Sequence, residues 1–322
     1  MRAGWRRRRR PRLQAAARRC RVCQHPAASE LESRSPLDAP PSYRRRQAIP
    51  SVRSAREWQG VPVGIRDEAF FSAKVFHAKH VAELKANALK AINGQRVKLK
   101  RLRIGAGTET PDDSLLMTRS VFVREMRQAA LERALAPTGP RATEDIASAP
   151  RLRLIFDMAE QRTFNKARWE TSNDPDLLDA YPAQELFRES PRDVPRDWEA
   201  RWAAAAEAVG FEGVAKDGRM VALKDSQIWT ELSVFDEPFP PFDYGSGMGV
   251  RDVSRVDAVE MGLLGWRDKI DDPGYLFDQQ KHASVENMPE VERDWLLEQL
   301  RAELGDAVKY DEATGDISFG EG

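Results

Sequence analysis

Enzyme chemistry needs groups that converge, and this sequence offers few sets that could. Asp236, Glu237 and Asp243 lie together beside Gly245-Ser246-Gly247, while Asp157 and Glu160 stand at i, i+3. Paired carboxylates serve general acid and base steps, but only beside a base, a metal or a nucleophile. His77 and His80 also share i, i+3 spacing. With no acidic or sulfur partner evident, they are read as solvated or core-edge histidines and not as metal ligands. Cys20 and Cys23 make a single C-x-x-C followed by His25. A structural zinc takes four ligands and no second pair exists, while haem attachment needs histidine directly after the second cysteine. Gly245-Ser246-Gly247 is too short for a nucleophile elbow, and no phosphate-binding Gly-Lys-Ser/Thr occurs. The expectation is a protein that is not an enzyme, with no catalytic, cofactor or metal residues.

The stretch most in need of positioning is residues 229–252. Pro238, Pro240 and Pro241 fix φ and remove three backbone donors, whereas Gly245, Gly247 and Gly249 permit positive φ. The sequence predicts a shaped loop, neither helix nor strand. Trp229, Phe235, Phe239, Phe242 and Tyr244 run through it, which suggests pinning by buried rings. Two readings stay open: a structural loop crossing a core, and an assembly or ligand loop.

The net charge of zero hides an asymmetry. Residues 1–56 hold sixteen arginines, no lysine and only Glu30, Glu32 and Asp38 as acids, a local +13 that the remainder balances. This arm has no sustained apolar period, so disorder is expected over 1–64. Arg6 to Arg10 and Arg44 to Arg46 could neutralise nucleic-acid phosphates, without aromatic residues between them to read bases. A transit peptide would need an amphipathic period that is missing, and the lack of lysine before Lys74 also fits translation from too early a start codon. The body has no cysteine for a disulfide framework, and no apolar run approaches the ~18 residues of a membrane span. A soluble protein is expected.

Around that stretch the periodicity places several elements. A helix is predicted over 67–93 with Gly94 as its stop, and then a basic loop over 96–110. A second helix starts from Thr118 and ends before Pro137, and a long amphipathic one opens at Pro150 and closes at Trp169. Residues 182–188 read as a strand, 196–209 as a helix, and the segments flanking Asp217-Gly218 as a hairpin. A short helix over 253–264, a turn at Asp271-Asp272-Pro273-Gly274, a helix from Pro289 behind Asn287 to Gly305, and a final hairpin complete the chain. The fold class is α+β: a predominantly helical first half, a small mixed strand and loop second half, and a disordered basic N-terminal arm. The parts expected are the arm 1–64, a main domain 65–264, and a C-terminal helix and tail 265–322. A chain beginning near Ile65 is expected to fold alone.

A set of short sequences in order then carries a resemblance. They are Arg-Leu-Arg-Leu-Ile-Phe-Asp at 151–157, Ala-Arg-Trp at 167–169, Asn-Asp-Pro-Asp-Leu-Leu-Asp-Ala-Tyr-Pro-Ala-Gln-Glu-Leu at 173–186, Pro-Arg-Asp-Trp at 195–198, Ile-Trp-Thr at 228–230 and Pro-Pro-Phe-Asp-Tyr-Gly-Ser-Gly-Met-Gly-Val at 240–250. From Phe70-Phe71 to about Leu263 the chain resembles the phage head morphogenesis family, the minor head proteins of Mu-like phages and prophages. The resemblance implies assembly work near the portal, in capsid building or genome packaging, without turnover. Better-known members carry a Cys-Arg-Cys type motif after the proline pair and a histidine upstream. Here Ser246 and Gly247 lie near the cysteine positions and Trp198 near the histidine, so a metal or thiol role is in doubt.

Three classes of function follow. The first is a capsid-associated assembly protein contacting portal or capsid proteins through Arg151, Arg162, Arg168 and Trp169 of the long helix and Trp229, Pro240, Pro241, Phe242, Gly245 and Gly247 of the loop; aromatic residues and arginine are enriched at interface anchors. It would work in the bacterial host cytoplasm during assembly and reside in the virion head. The second is a nucleic-acid-binding protein that uses the arm and the same helix on packaged DNA. The third, a hydrolytic enzyme built on the carboxylates above, is the least favoured.

Overall fold

The computed structural model of the 322-residue chain describes residue 44 and residues 46–103, 117–135, 142–210, 215–216, 219–286 and 288–319. The Cys20/Cys23/His25 motif and Arg6 to Arg10 lie outside the described residues, as do 104–116.

Order starts earlier than Ile65. Strand β1 (Gln47–Ile49) leads to helix α1 (Ala55–Gln59), whose Ser54 and Glu57 form a reciprocal capping box. Trp58 on α1 is fully buried; its ring stacks on Phe71 at 3.8 Å between centroids, and its Nε1 donates to Ser51 Oγ at 3.1 Å. The sequence reading placed this segment in the arm because its apolar residues are scattered among arginines.

The helix expected over 67–93 is two elements with a strand between them. Helix α2 (Val63–Glu68) runs directly into β2 (Ala69–Phe71), which pairs in parallel with β1. Helix α3 (Ala78–Arg103) then continues through Gly94 and through the first part of the predicted basic loop. One internal glycine weakens a helix by only about 1 kcal/mol, which the rest of so long a helix can offset. Helices α4 (Arg119–Glu132) and α5 (Ala149–Ser172) follow as expected, capped by Thr118 and Ser148, with Pro150 in the first turn of α5. Val81, Leu84, Phe122, Met126, Leu152 and Phe156 close a helical core between α3, α4 and α5.

Helix α6 (Pro175–Ala180) turns the chain into β3 (Ala183–Arg188). Helix α7 (Trp198–Ala208), the hairpin of β4 (Ala215–Lys216) and β5 (Arg219–Leu223), and the single turn α8 (Ile228–Glu231) come next. Strand β6 (Met248–Val253) completes an antiparallel sheet in the order β4-β5-β3-β6. Leu186, Met220, Ala222 and Met248 face Trp198, Trp202, Trp229 and Phe242. On the opposite face Ala183, Val221 and Val253 meet Ala258 of helix α9 (Arg255–Glu260).

Past the sheet, the turn expected at 271–274 is the start of a helix missed in the sequence, α10 (Pro273–Glu286). Helix α11 (Glu290–Leu304) and the hairpin of β7 (Val308–Tyr310) and β8 (Ile317–Phe319) end the fold. Asn287, expected as the α11 cap, is outside the described residues; Pro289 occupies that position and makes no side-chain cap bond.

The parts expected at 1–64 and 265–322 share a core with each other. Ile49, Trp58, Val61 and Ile65 pack against Val285, Leu296, Leu300, Val308 and Ile317. The described residues all belong to one unit, Arg34–Gly322.

Candidate functional site

Residues 232–247 cross from α8 to β6, and α5 supplies much of what holds them. The stretch 229–252 is less irregular than expected, since it begins inside α8 and ends inside β6. Trp229 and Phe242 are wholly buried, and Trp229 Nε1 donates to the Leu223 carbonyl at 2.8 Å. Phe239 lies 5.4 Å from Trp169 of α5, and both rings meet Phe277 of α10. Phe235 and Tyr244 meet edge to face. The pinning rings are therefore real, and Trp169 pins the crossing from inside the molecule.

Backbone shape follows the proline and glycine positions. The Pro240-Pro241 bond is cis, and Gly245 and Gly247 have φ of +56° and +67°. At Gly247 a Cβ would come within 2.6 Å of the Ser190 carbonyl oxygen, so no side chain fits. The Gly247 carbonyl accepts from both the Glu189 and Ser190 amides at 3.0 Å. Ser246 is buried, and its Oγ accepts the Met248 amide at 3.2 Å. It serves as a turn residue.

All three carboxylates of the crossing are matched by arginine. Asp236 accepts from Arg66, which also donates to the carbonyls of Val61 at 2.6 Å and Phe235 at 3.0 Å. Glu237 is wholly buried and takes both arms of Arg162, with Arg162 Nε at 2.8 Å. Asp243 lies 2.9 Å from Arg201 and 3.2 Å from Arg196. General acid and base work at this place is disfavoured by those partners.

Arg162 also leads to an ion cluster that the sequence did not suggest. Asp67 at the end of α2 lies 2.8 Å from Arg46 and 2.8 Å from Lys166, with Arg162 at 3.9 Å and Lys281 of α10 at 3.8 Å. Burial alone would raise the Asp67 carboxyl, but Lys166, Arg46 and Arg162 together outweigh it and hold it well below the carboxylate range. Burial in turn lowers the Lys166 ammonium, with Asp67 opposing. Asp67, Lys166 and Lys281 border an open cleft of about 1090 Å³. Arg46 and Arg162 also border a smaller hollow of about 160 Å³, walled by Phe71, Ile155, Phe235 and Tyr244.

The arginines expected as an outward contact face are largely committed inside the molecule. Arg151 Nη1 donates to the Thr143 carbonyl, and its Nη2 donates to Ser72 Oγ and to the Ala73 carbonyl. Arg168 alone of the three stays about half exposed, 3.9 Å from Asp252. Pro240 and Pro241 are buried as well. The ten residues singled out from sequence thus describe the inside of a junction more than a surface.

The other candidate groups resolve simply. Asp157 is bound by Arg119 at 2.6 Å, and burial raises its carboxyl. Burial and then the Asp157 charge raise Glu160. His80 is wholly buried, and burial followed by Arg133 lowers it to about 4. His77 Nδ1 accepts the His80 amide at 3.3 Å, so the pair forms a helix-start contact. Trp198, near the family's histidine position, is a core ring. Among the described residues no group of three His, Cys, Asp or Glu side chains stands close enough to hold a metal ion. No helix among them is long and apolar enough to cross a membrane. No protein-family model matches the chain, and no curated protein or solved structure matches it either.

Proposed function

We propose that this chain is a phage or prophage minor head protein, acting in capsid assembly or DNA packaging near the portal through protein contacts. The observation that carries the reading is the crossing at 232–247: rings and prolines lock it, and Arg66, Arg162 and Arg201 cover its three carboxylates. That arrangement suits a scaffold that holds shape under load, and it contains most of one of the six short sequences on which the family resemblance rests, the one at 240–250. The contact surface moves, however, from the α5 arginines to the outside of the C-terminal third. There Trp266, Tyr275 and Trp295 are exposed, aromatic types that anchor protein interfaces. Portal or capsid subunits are the proposed partners, and the proposed locations are the host cytoplasm during assembly and the head of the virion.

Deleting the gene from its resident prophage and inducing the lysogen tests the proposal. DNA-filled heads should fall sharply, and expression from a plasmid should restore them. Normal yields of infectious particles from the deletion strain would end the assembly reading. A Trp266→Ala/Trp295→Ala variant should restore fewer heads than wild type while keeping the wild-type melting temperature.

A further inference from the structure

The hollow of about 160 Å³ combines an apolar lining with an unusual charge pattern. Four arginines border it, Arg46, Arg66, Arg151 and Arg162, and no Asp or Glu does so among the described residues. Three of the four are answered from behind: Arg46 by Asp67, Arg66 by Asp236 and Arg162 by Glu237. Arg151 is different. Its bonds run to a hydroxyl and two carbonyls, all neutral, and no carboxylate of the described residues is within ion-pair distance. Its Nε is buried and makes no hydrogen bond. Burial lowers its guanidinium, opposed through space by Tyr244 and then Glu144. One positive charge beside the hollow is therefore answered by no carboxylate of the described residues, a costly state that an anion in the hollow would relieve.

Size narrows the occupant. An apolar cavity near 150 Å³ accommodates benzene, whereas drug-sized ligands need roughly 300 Å³ or more. Phe71, Ile155 and Phe235 supply the apolar wall, and the Tyr244 hydroxyl is within electrostatic reach of Arg151 and Arg162.

We propose that this hollow binds a monocarboxylate carrying one benzene-sized apolar group, with the carboxylate on Arg151 and the apolar group between Ile155 and Phe235. Such chemistry belongs both to a free arylalkanoic acid and to the C-terminal residue of a peptide ending in phenylalanine. The site does not depend on the assembly reading and stands or falls separately from it.

Ligand-observed NMR and calorimetry on the full chain test it with four probes: phenylacetate, phenylacetamide, and Gly-Gly-Phe with a free or an amidated C-terminus. Phenylacetate should bind with a Kd on the order of 1 mM or tighter, and phenylacetamide about tenfold more weakly or not at all. Binding of the free-acid peptide but not its amide assigns the site to chain ends; binding of phenylacetate alone assigns it to free acids. Arg151→Gln should abolish the preference for acid over amide. Because that change also removes structural bonds, Ala159→Leu provides a second arm: it fills the hollow with Arg151 intact and should also remove binding. Equal binding of acid and amide, no binding of any probe, or full binding to the Ala159→Leu protein would overturn the proposal.

Discussion

At the residue scale the most consequential side chain is Asp67, which is buried against Arg46 and Lys166, with the partly exposed Arg162 and Lys281 farther off. Removing Asp67 takes this counter-charge from the buried Arg46 and Lys166, which is worse than never having built the cluster. Asp67→Asn should therefore cost about 3 to 5 kcal/mol in urea unfolding, and Asp67→Asn combined with Lys166→Met should recover part of that loss. Because the folded-state pKa of Asp67 is depressed, its contribution is complete above the unfolded value of about 3.9 and disappears as pH falls below it. Glu160 has the opposite sign. Its raised pKa means that ionising it in the folded protein is unfavourable, so it weakens the fold at neutral pH and does so less as the pH falls. Glu160→Gln should raise the melting temperature at pH 7 and have little effect near pH 4, and a lowered melting temperature at pH 7 would contradict the assignment.

At the scale of elements, local signals in the sequence were readable and distant ones were not. Thr118 announced α4 and Pro150 announced α5, because caps and first-turn prolines act on their own neighbours. The rings and glycines of the crossing were legible for the same reason. Nothing local announces a parallel pair of three-residue strands, nor an ion pair between Lys166 and Asp67, which lie 99 positions apart, or between Arg66 and Asp236, 170 apart. The arginines of α5 looked like a solvated or binding face because their partners come from elsewhere in the chain.

The same blindness set the expected folding boundary at Ile65. A chain starting there lacks β1 and Trp58, and so loses the partners of Leu296, Leu300 and Val308. It should aggregate or melt without cooperativity, whereas one starting at Arg46 should melt cooperatively. Trp58→Ala in the full chain should cost about 3 to 5 kcal/mol. Gly64 marks the contact between α2 and α10, where an added Cβ would meet the Lys281 carbonyl at 3.0 Å. Gly64→Val should destabilise the protein by at least about 1 kcal/mol by forcing those helices apart.

At the scale of the whole molecule, charge divides the chain more sharply than folding does. Thirteen arginines and three acids precede Arg46, a net +10, while the residues after it carry a net −11, so that with Arg46 itself the full sequence sums to zero. Cancellation of that kind does not make the molecule neutral to a polyanion, because charges separated by more than a Debye length of about 8 Å act independently at physiological salt. If packaged DNA is a partner, the arm must provide the contact and the body must oppose it. Binding of the full chain to duplex DNA should then weaken steeply with salt, with a log–log slope near −0.9 for each phosphate neutralised. The chain starting at Arg46 should bind no tighter than background at 50 mM salt, although it keeps every element from β1 to β8. Retention of salt-sensitive binding by that shorter chain would move the contact onto the folded unit, with Lys85 and Lys281 at the cleft beside Asp67 as the first residues to substitute.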